Sequence, residues 1–233
     1  MGFYTLERIN LQMKTAILVD GGFYRRRAQS LFGEKSAEDR ADELYYYCKR
    51  HLKEKHEDRE LYRVFYYDCP PMSKKLQHPL TKKQVDFSKT DLCQWTNIFF
   101  NELKKKRKFA LRLGKLSDTM AHYNLRKDVT KALFSGKKSF DDITETDFEL
   151  KVDQKGVDMK IGLDIASLAY KKQVEQIILI AGDSDFVPAA KLARREGIDF
   201  ILDPMGNKIK PDLQEHIDGI RSQTNYINQS KSD

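Results

Sequence analysis

The chain has 233 residues, enough for one domain with a sizeable core, and 33% of them are charged against 40% hydrophobic. Its formal net charge of +7 suits a polyanionic partner, and no run of about eighteen apolar residues exists to cross a membrane. The N-terminus shows no apolar signal segment, and three cysteines without C-x-x-C spacing and five scattered histidines argue against a disulfide frame or a zinc site, so a cytoplasmic protein with reduced thiols is expected.

Residues 1–13 fall outside any pattern and read as an N-terminal extension, with Met13 as a natural start or domain edge. Lys14 to Asp20 is a short, β-branched, unbroken apolar run, as in a strand buried on both faces of a parallel sheet. Gly21-Gly22 makes the turn into a helix from Phe23 to Phe32, and Ser36 reads as the N-cap of a second helix through about Lys55. Its apolar stripe is Ala41, Leu44, Tyr45, Cys48 and Leu52, and at least one of Tyr45, Tyr46 and Tyr47 must be exposed. Leu61 to Tyr67 is a second strand, stopped by Asp68-Cys69-Pro70-Pro71, so Asp68 is another carboxylate at a strand end, read as a turn residue before proline in preference to a functional acid.

Residues 72–88 are polar, basic and aperiodic, and are expected as a mobile loop. Asp91 to Lys106 is helical, with Leu92, Trp95, Ile98, Phe99 and Leu103 on its inner face, so Trp95 reads as core. Phe109 to Leu113 is a strand, Asn124 to Phe134 a helix, Ser135 to Lys138 a loop and Phe148 to Val152 a strand. Residues 72–153 thus form a basic elaboration of a core domain spanning 14–205. That core resumes with a helix from Val157 to Lys171, a strand Gln176 to Ala181, a helix Asp185 to Glu196 ended by Gly197, and a strand Ile198 to Leu202. Pro211 opens a short helix in a C-terminal segment, 206–233. The alternation predicts an α/β fold with a mainly parallel central sheet flanked by helices.

Sites in open α/β sheets lie at the carboxyl ends of strands. Asp20 ends the first strand, Asp183 and Asp185 follow the strand at 176–181, and Asp158 and Asp164 lie at and beyond Lys155-Gly156-Val157. Neighbouring strands would bring these carboxylates into one crevice, where they repel unless a cation compensates; oxygen-only donors suit magnesium or manganese. Ser184 or Asp185 can act as a helix cap, leaving Asp183 free as a ligand. Asp158 and Asp164, six residues apart, stand roughly 240° apart on a helix at about 3.6 residues per turn. Asp158 therefore fits the crevice from the helix entrance, and Asp164 divides between a metal ligand on one side and a supporting role or interior salt bridge on the other.

Val19-Asp20-Gly21-Gly22-Phe23-Tyr24, Lys155-Gly156-Val157-Asp158 and Gly182-Asp183-Ser184-Asp185-Phe186, taken together and in this order, resemble the three signatures of the NYN domain family, LabA-like bacterial members among them. The resemblance spans about residues 13 to 205. It implies the PIN-like three-layer fold of the flap-nuclease relatives, a catalytic set of Asp20, Asp158, Asp183 and Asp185, and metal ligation by these together with Asp164. One departure is visible: many members carry Asn or Ser shortly after the first Asp, and here Gly21, Gly22 and Phe23 stand there.

The expected activity is metal-dependent hydrolysis of phosphodiesters, in RNA rather than DNA. Arg25, Arg26, Lys155 and Lys160 are placed by sequence to meet phosphates beside the metal, and Lys104, Lys105 and Lys106 to form a basic rim around the acidic centre. Two alternatives stand beside this. One is a catalytically silent RNA-binding regulatory module. The other is a haloacid-dehalogenase-like phosphatase, which lacks the second aspartate it needs, because Gly22 occupies that position. No membrane partner is expected, and homo-oligomerisation is left open.

Overall fold

The computed structural model describes residues 12–54, 57–116, 121–152 and 154–224. In chain order the elements are β1 (Met13–Asp20), α1 (Gly21–Phe32), α2 (Ala37–Arg50), β2 (Lys53–Glu54), β3 (Glu57–Asp68), β4 (Lys75–Gln77), β5 (Gln84–Asp86), α3 (Asp91–Lys105), β6 (Phe109–Leu113), β7 (Lys115–Leu116), β8 (His122–Leu125), α4 (Lys127–Phe134), β9 (Phe148–Lys151), β10 (Gln154–Lys155), α5 (Val157–Tyr170), β11 (Gln176–Ile180), α6 (Val187–Arg195), β12 (Asp199–Asp203), α7 (Pro211–Gln214) and β13 (Gly219–Ile220). Six strands run parallel in the order β13-β12-β11-β1-β3-β6, with β2 folded back antiparallel on the start of β3. Among the described residues no helix is long and apolar enough to cross a membrane.

Alternation within each strand builds two cores. Ala16 and Leu18 of β1 face one side with Ile177 and Leu179 of β11, covered by Ile161, Ile165 and Leu168 of α5 and Ala190 and Ala193 of α6. Ile17 and Val19 face the other, with Ile178 and Ile180, under Tyr24, Leu44, Tyr47, Phe99 and Leu103 of α1, α2 and α3. Successive side chains in a strand point to opposite faces, so an unbroken apolar run fills both. The three layers follow.

The winding fixes the site. From β1 the chain moves outward through β3 to β6 with its helices on one face. It then crosses back through α5 on the other face to β11 and continues to β12 and β13. The direction therefore switches between β1 and β11, where the crevice of an open α/β sheet forms.

Several expectations change. Residues 72–88 are not a bare loop but hold the hairpin β4–β5, whose three-residue strands are too short to show a period. The predicted helix 124–134 begins as β8, paired with β9, and only then becomes α4. The inner face of α3 is Cys93, Thr96, Phe99, Phe100 and Leu103; Leu92 and Ile98 are exposed. Of the three tyrosines Tyr47 is buried, Tyr45 half-buried and Tyr46 exposed. The sheet also continues past residue 205, because β13 pairs with β12. Cys48, Cys69 and Cys93 are free thiols and all buried.

Candidate active site

Register aligns the strand ends: Val19 of β1 lies level with Tyr66 of β3 and with Ile180 of β11, and Ile180 with Asp203 of β12. Asp203, Asp20 and Asp68 thus end three strands of one edge, and Asp183 follows β11 three residues on.

Asp20 is half-buried and caps α1, accepting from the Phe23 N–H at 3.1 Å. The turn is tight enough that a Cβ on Gly21 would sit 2.5 Å from the Tyr66 ring and 2.6 Å from the Tyr67 carbonyl oxygen. Phe23 fills the side-chain space of Gly182, where a Cβ would stand 2.4 Å from its ring. The aromatic residue at the departure from the family pattern therefore clamps the start of α1 to the loop that carries Asp183.

Burial pushes the Asp20 carboxyl above its usual range; the Phe23 N–H opposes this, Asp158 adds to it, Arg26 opposes it and Asp68 adds to it. Asp158, in the first turn of α5, is pushed up by desolvation and then by Asp183 and Asp185. Asp20, Asp158, Asp183 and Asp185 are thus one electrostatically coupled group.

Asp183 itself caps the turn into α6, accepting from the Asp185 N–H at 3.3 Å. The expectation that capping would fall to Ser184 or Asp185 is corrected: an N-cap precedes the turn it closes, and the turn here starts one residue earlier than the sequence pattern suggests. Asp164 lies apart from the other acids. Its carboxylate accepts from the Tyr67 hydroxyl at 2.8 Å and pairs with Arg112 at 3.0 Å, a salt bridge as in one of its sequence readings, but a partly exposed one in place of an interior one.

Asp68 is the strand-end carboxylate that sequence reasoning set aside as a turn residue. It is 1% exposed, receives the Tyr66 hydroxyl at 3.1 Å and the Cys69 N–H at 2.8 Å, and pairs with Arg25 at 3.0 Å. Its carboxyl is raised by burial and lowered by Arg25. The available signal was its place at the end of an apolar strand, outweighed by the two prolines. Asp203 is likewise a strand-end aspartate, fully buried and enclosed by donors.

Among the cations, Arg25 reaches Asp68 and Thr96. Arg26 is exposed and, among the described residues, makes no hydrogen bond or ion pair; a Cβ on Gly22 would lie 3.5 Å from an Asp20 carboxylate oxygen and 3.9 Å from an Arg26 guanidinium nitrogen. Lys155 pairs with Lys115 beyond the end of β6, and Lys160 is exposed two residues after Asp158. Lys104, Lys105 and Lys106 lie elsewhere. They end α3 just before β6 begins, at the amino edge of the sheet, where Lys105 pairs with Glu102 and Lys106 with Asp42. The basic rim expected from them is not at the acidic edge, because α3 runs antiparallel to the strands and carries its C-terminus to the opposite end.

Among the described residues no three Asp, Glu, His or Cys side chains converge into a ready ligand shell for a metal. The chemistry of the donor set nevertheless fits a hard divalent ion: the coupled donors are all carboxylates, and desolvation, with repulsion added, raises Asp20 and Asp158.

A Vibrio parahaemolyticus protein of unknown function is similar to this chain at 15% identity and a TM-score of 0.47, over 91% of this chain and 93% of that one. A structure described under the mechanism and regulation of Sir2 enzymes aligns at 9% identity and a TM-score of 0.31, over 96% and 95%. Neither likeness carries an argument about function. No curated protein matches the chain. The NYN domain matches residues 93–219, which include Asp158, Asp164, Asp183 and Asp185 and leave Asp20 and Asp68 on the N-terminal side. With more than half of its length matched, the chain belongs to the NYN domain family, a PIN-like nuclease family.

Proposed function

We propose that the protein is a metal-dependent nuclease that hydrolyses phosphodiester bonds, with RNA as its substrate. The observation that carries this reading is the coupled group of Asp20, Asp158, Asp183 and Asp185 at the switch point of the sheet, where repulsion and burial hold Asp20 and Asp158 above their ordinary range. Acids so placed cost stability unless they serve a cation. Asp20, Asp158 and Asp183 would hold magnesium or manganese, with Asp185 beside them. When bound, the ion supplies Lewis acidity at the scissile phosphate and lowers the pKa of the attacking water.

The chain's own groups do the rest. Arg26, exposed and acting on Asp20, binds a flanking phosphate. Asp68 and Thr96 fix the Arg25 guanidinium at the rim. The Phe23 ring on Gly182 holds the Asp20 and Asp183 segments at constant separation. The deciding experiment incubates labelled single-stranded RNA and DNA with the protein, with manganese or with chelator, beside Asp20→Asn. Manganese-dependent cleavage that the variant loses supports the reading; cleavage that survives chelation rejects it.

Among the described residues no ready ligand shell is formed, which favours a second reading, a regulatory module that binds RNA without cutting it. Tight RNA binding with no cleavage in magnesium or manganese would select it.

A further inference from the structure

Beside the acidic group lies a pocket of about 420 Å³, within the range of roughly 300–1,000 Å³ usual for small-molecule sites. The first turns of α1 and α3 flank it, both at the carboxyl edge of the sheet, and Gly22, one of its lining residues, joins it to Asp20. Four basic residues line it, Arg25, Arg26, Lys35 and Arg40, against one acid, Glu34, and the neutral Gln29. Three of these have acidic partners, Arg25 with Asp68 at 3.0 Å and both Lys35 (2.9 Å) and Arg40 (2.6 Å) with Glu43. Arg26 is the cation left over.

Trp95 and Leu92 supply the apolar part of the lining. The Trp95 indole is half-buried, stacked on Phe99 with centroids 5.1 Å apart and planes 14° from parallel, and its N–H donates to the Lys35 carbonyl at 3.0 Å. The ring is locked before any ligand arrives. Leu92 is 69% exposed, an apolar side chain with no folding reason to stand there.

A rigid aromatic-aliphatic lining in one pocket with the exposed Arg26 guanidinium matches one nucleotide: a base needs an apolar face and its phosphate a cation. We propose that this pocket is a subsite for a single-stranded nucleotide next to the cleaved bond, with the base on Trp95 and Leu92 and the phosphate on Arg26. The assignment rests on the nuclease reading. It also names the substrate form: a base held in a duplex cannot enter the pocket, so single strands bind and duplexes do not.

Trp95 is the only tryptophan in the chain, so its emission reports on this pocket alone. The experiment titrates metal-free, chelator-treated protein with single-stranded decauridylate and with duplex RNA of equal length. Trp95 emission is followed, and total binding is read separately from the polarisation of labelled RNA. Single strands should change the emission saturably, and duplexes should not. Arg26→Ala should weaken binding about tenfold and reduce the salt slope by about one. Leu92→Ala, exposed and therefore folded, should weaken binding about fivefold with an unchanged slope. The proposal is overturned if RNA binds without altering the emission, if Leu92→Ala binds as wild type, if duplex and single strand behave alike, or if nothing binds. The manganese-dependent cleavage assay with Asp20→Asn runs in parallel: lost cleavage with a silent Trp95 removes the subsite and keeps the nuclease, whereas a responsive Trp95 with no cleavage does the reverse.

Discussion

Asp20 and Asp203 end strands of the same sheet edge, and the chain treats them in opposite ways. Asp203 is fully buried, and its two oxygens take the Tyr47 hydroxyl at 2.5 Å, His51 at 2.9 Å, the Met205 N–H at 2.7 Å and the Ser222 hydroxyl at 2.8 Å. Asp20 takes one backbone N–H and has Asp158, Arg26 and Asp68 as its charged neighbours. A strand-end position alone therefore does not mark a functional carboxylate. What separates the two is whether the fold uses up the acceptor capacity or leaves it available to a ligand.

The widest contrast is in catalysis. Asp20→Asn should lower RNA turnover at least about a hundredfold, ~2.7 kcal/mol of transition-state stabilisation, while the affinity for RNA stays level or rises. Single-turnover cleavage in manganese measures it, and near-normal cleavage by a folded variant would place Asp20 in the same structural class as Asp203. Next comes stability. Asp203→Asn puts an amide where several donors converge and should cost about 3 kcal/mol in urea unfolding. Asp20→Asn keeps a competent cap, since Asn caps as well as Asp, and removes a repelled charge, so its urea midpoint without metal should be equal or slightly higher.

The dependence on pH sharpens the same opposition. Asp20 and Asp158 have folded pKa values above the unfolded 3.8, so their contribution is fully present below that pH and is lost as pH rises through the raised values. The stability advantage of Asp158→Asn over wild type should thus be absent below pH 3.8 and open as pH rises, in chelator-treated urea titrations. Asp147 carries the reverse sign: Lys138 first, and then Thr144, hold it down to about 2, so its contribution is present above 3.8 and fades as pH falls toward 2. The smallest effect belongs to the amino edge. Replacing Lys104, Lys105 and Lys106 by Ala should leave cleavage of short oligonucleotides unchanged, and a clear loss would mean that substrate wraps to the far end of the sheet.

Most of the scaffold was legible because the buried strands are continuous apolar runs and the helices keep a period of about 3.6 residues. Asp20 and Asp183 stood out for the same reason, as charges that close such runs. Asp68 was hidden by Pro70 and Pro71, which explain a strand end without function. Asp164 could not be separated from Asp158 until Arg112 and Tyr67 were seen to occupy its carboxylate. The place of Lys104 to Lys106 depends on which way α3 runs against the sheet, a tertiary fact that composition does not carry. Trp95 was read as core, and half of that stands: one face rests on Phe99 while the residue also lines a pocket.

The family match stops at Gly219, but the plug of the Asp203 chamber comes afterwards. Arg221 donates to the His51 carbonyl, Ser222 to Asp203, and the Gln223 N–H to the Tyr47 hydroxyl. Trimming the chain after Gly219 alone would keep every residue of the proposed site and uncork that chamber, admitting water to His51, Tyr47 and Asp203 behind α2. A chain that ends where the family match ends is therefore shorter than one that should fold. Loss of activity in a protein cut there would say nothing about the aspartates.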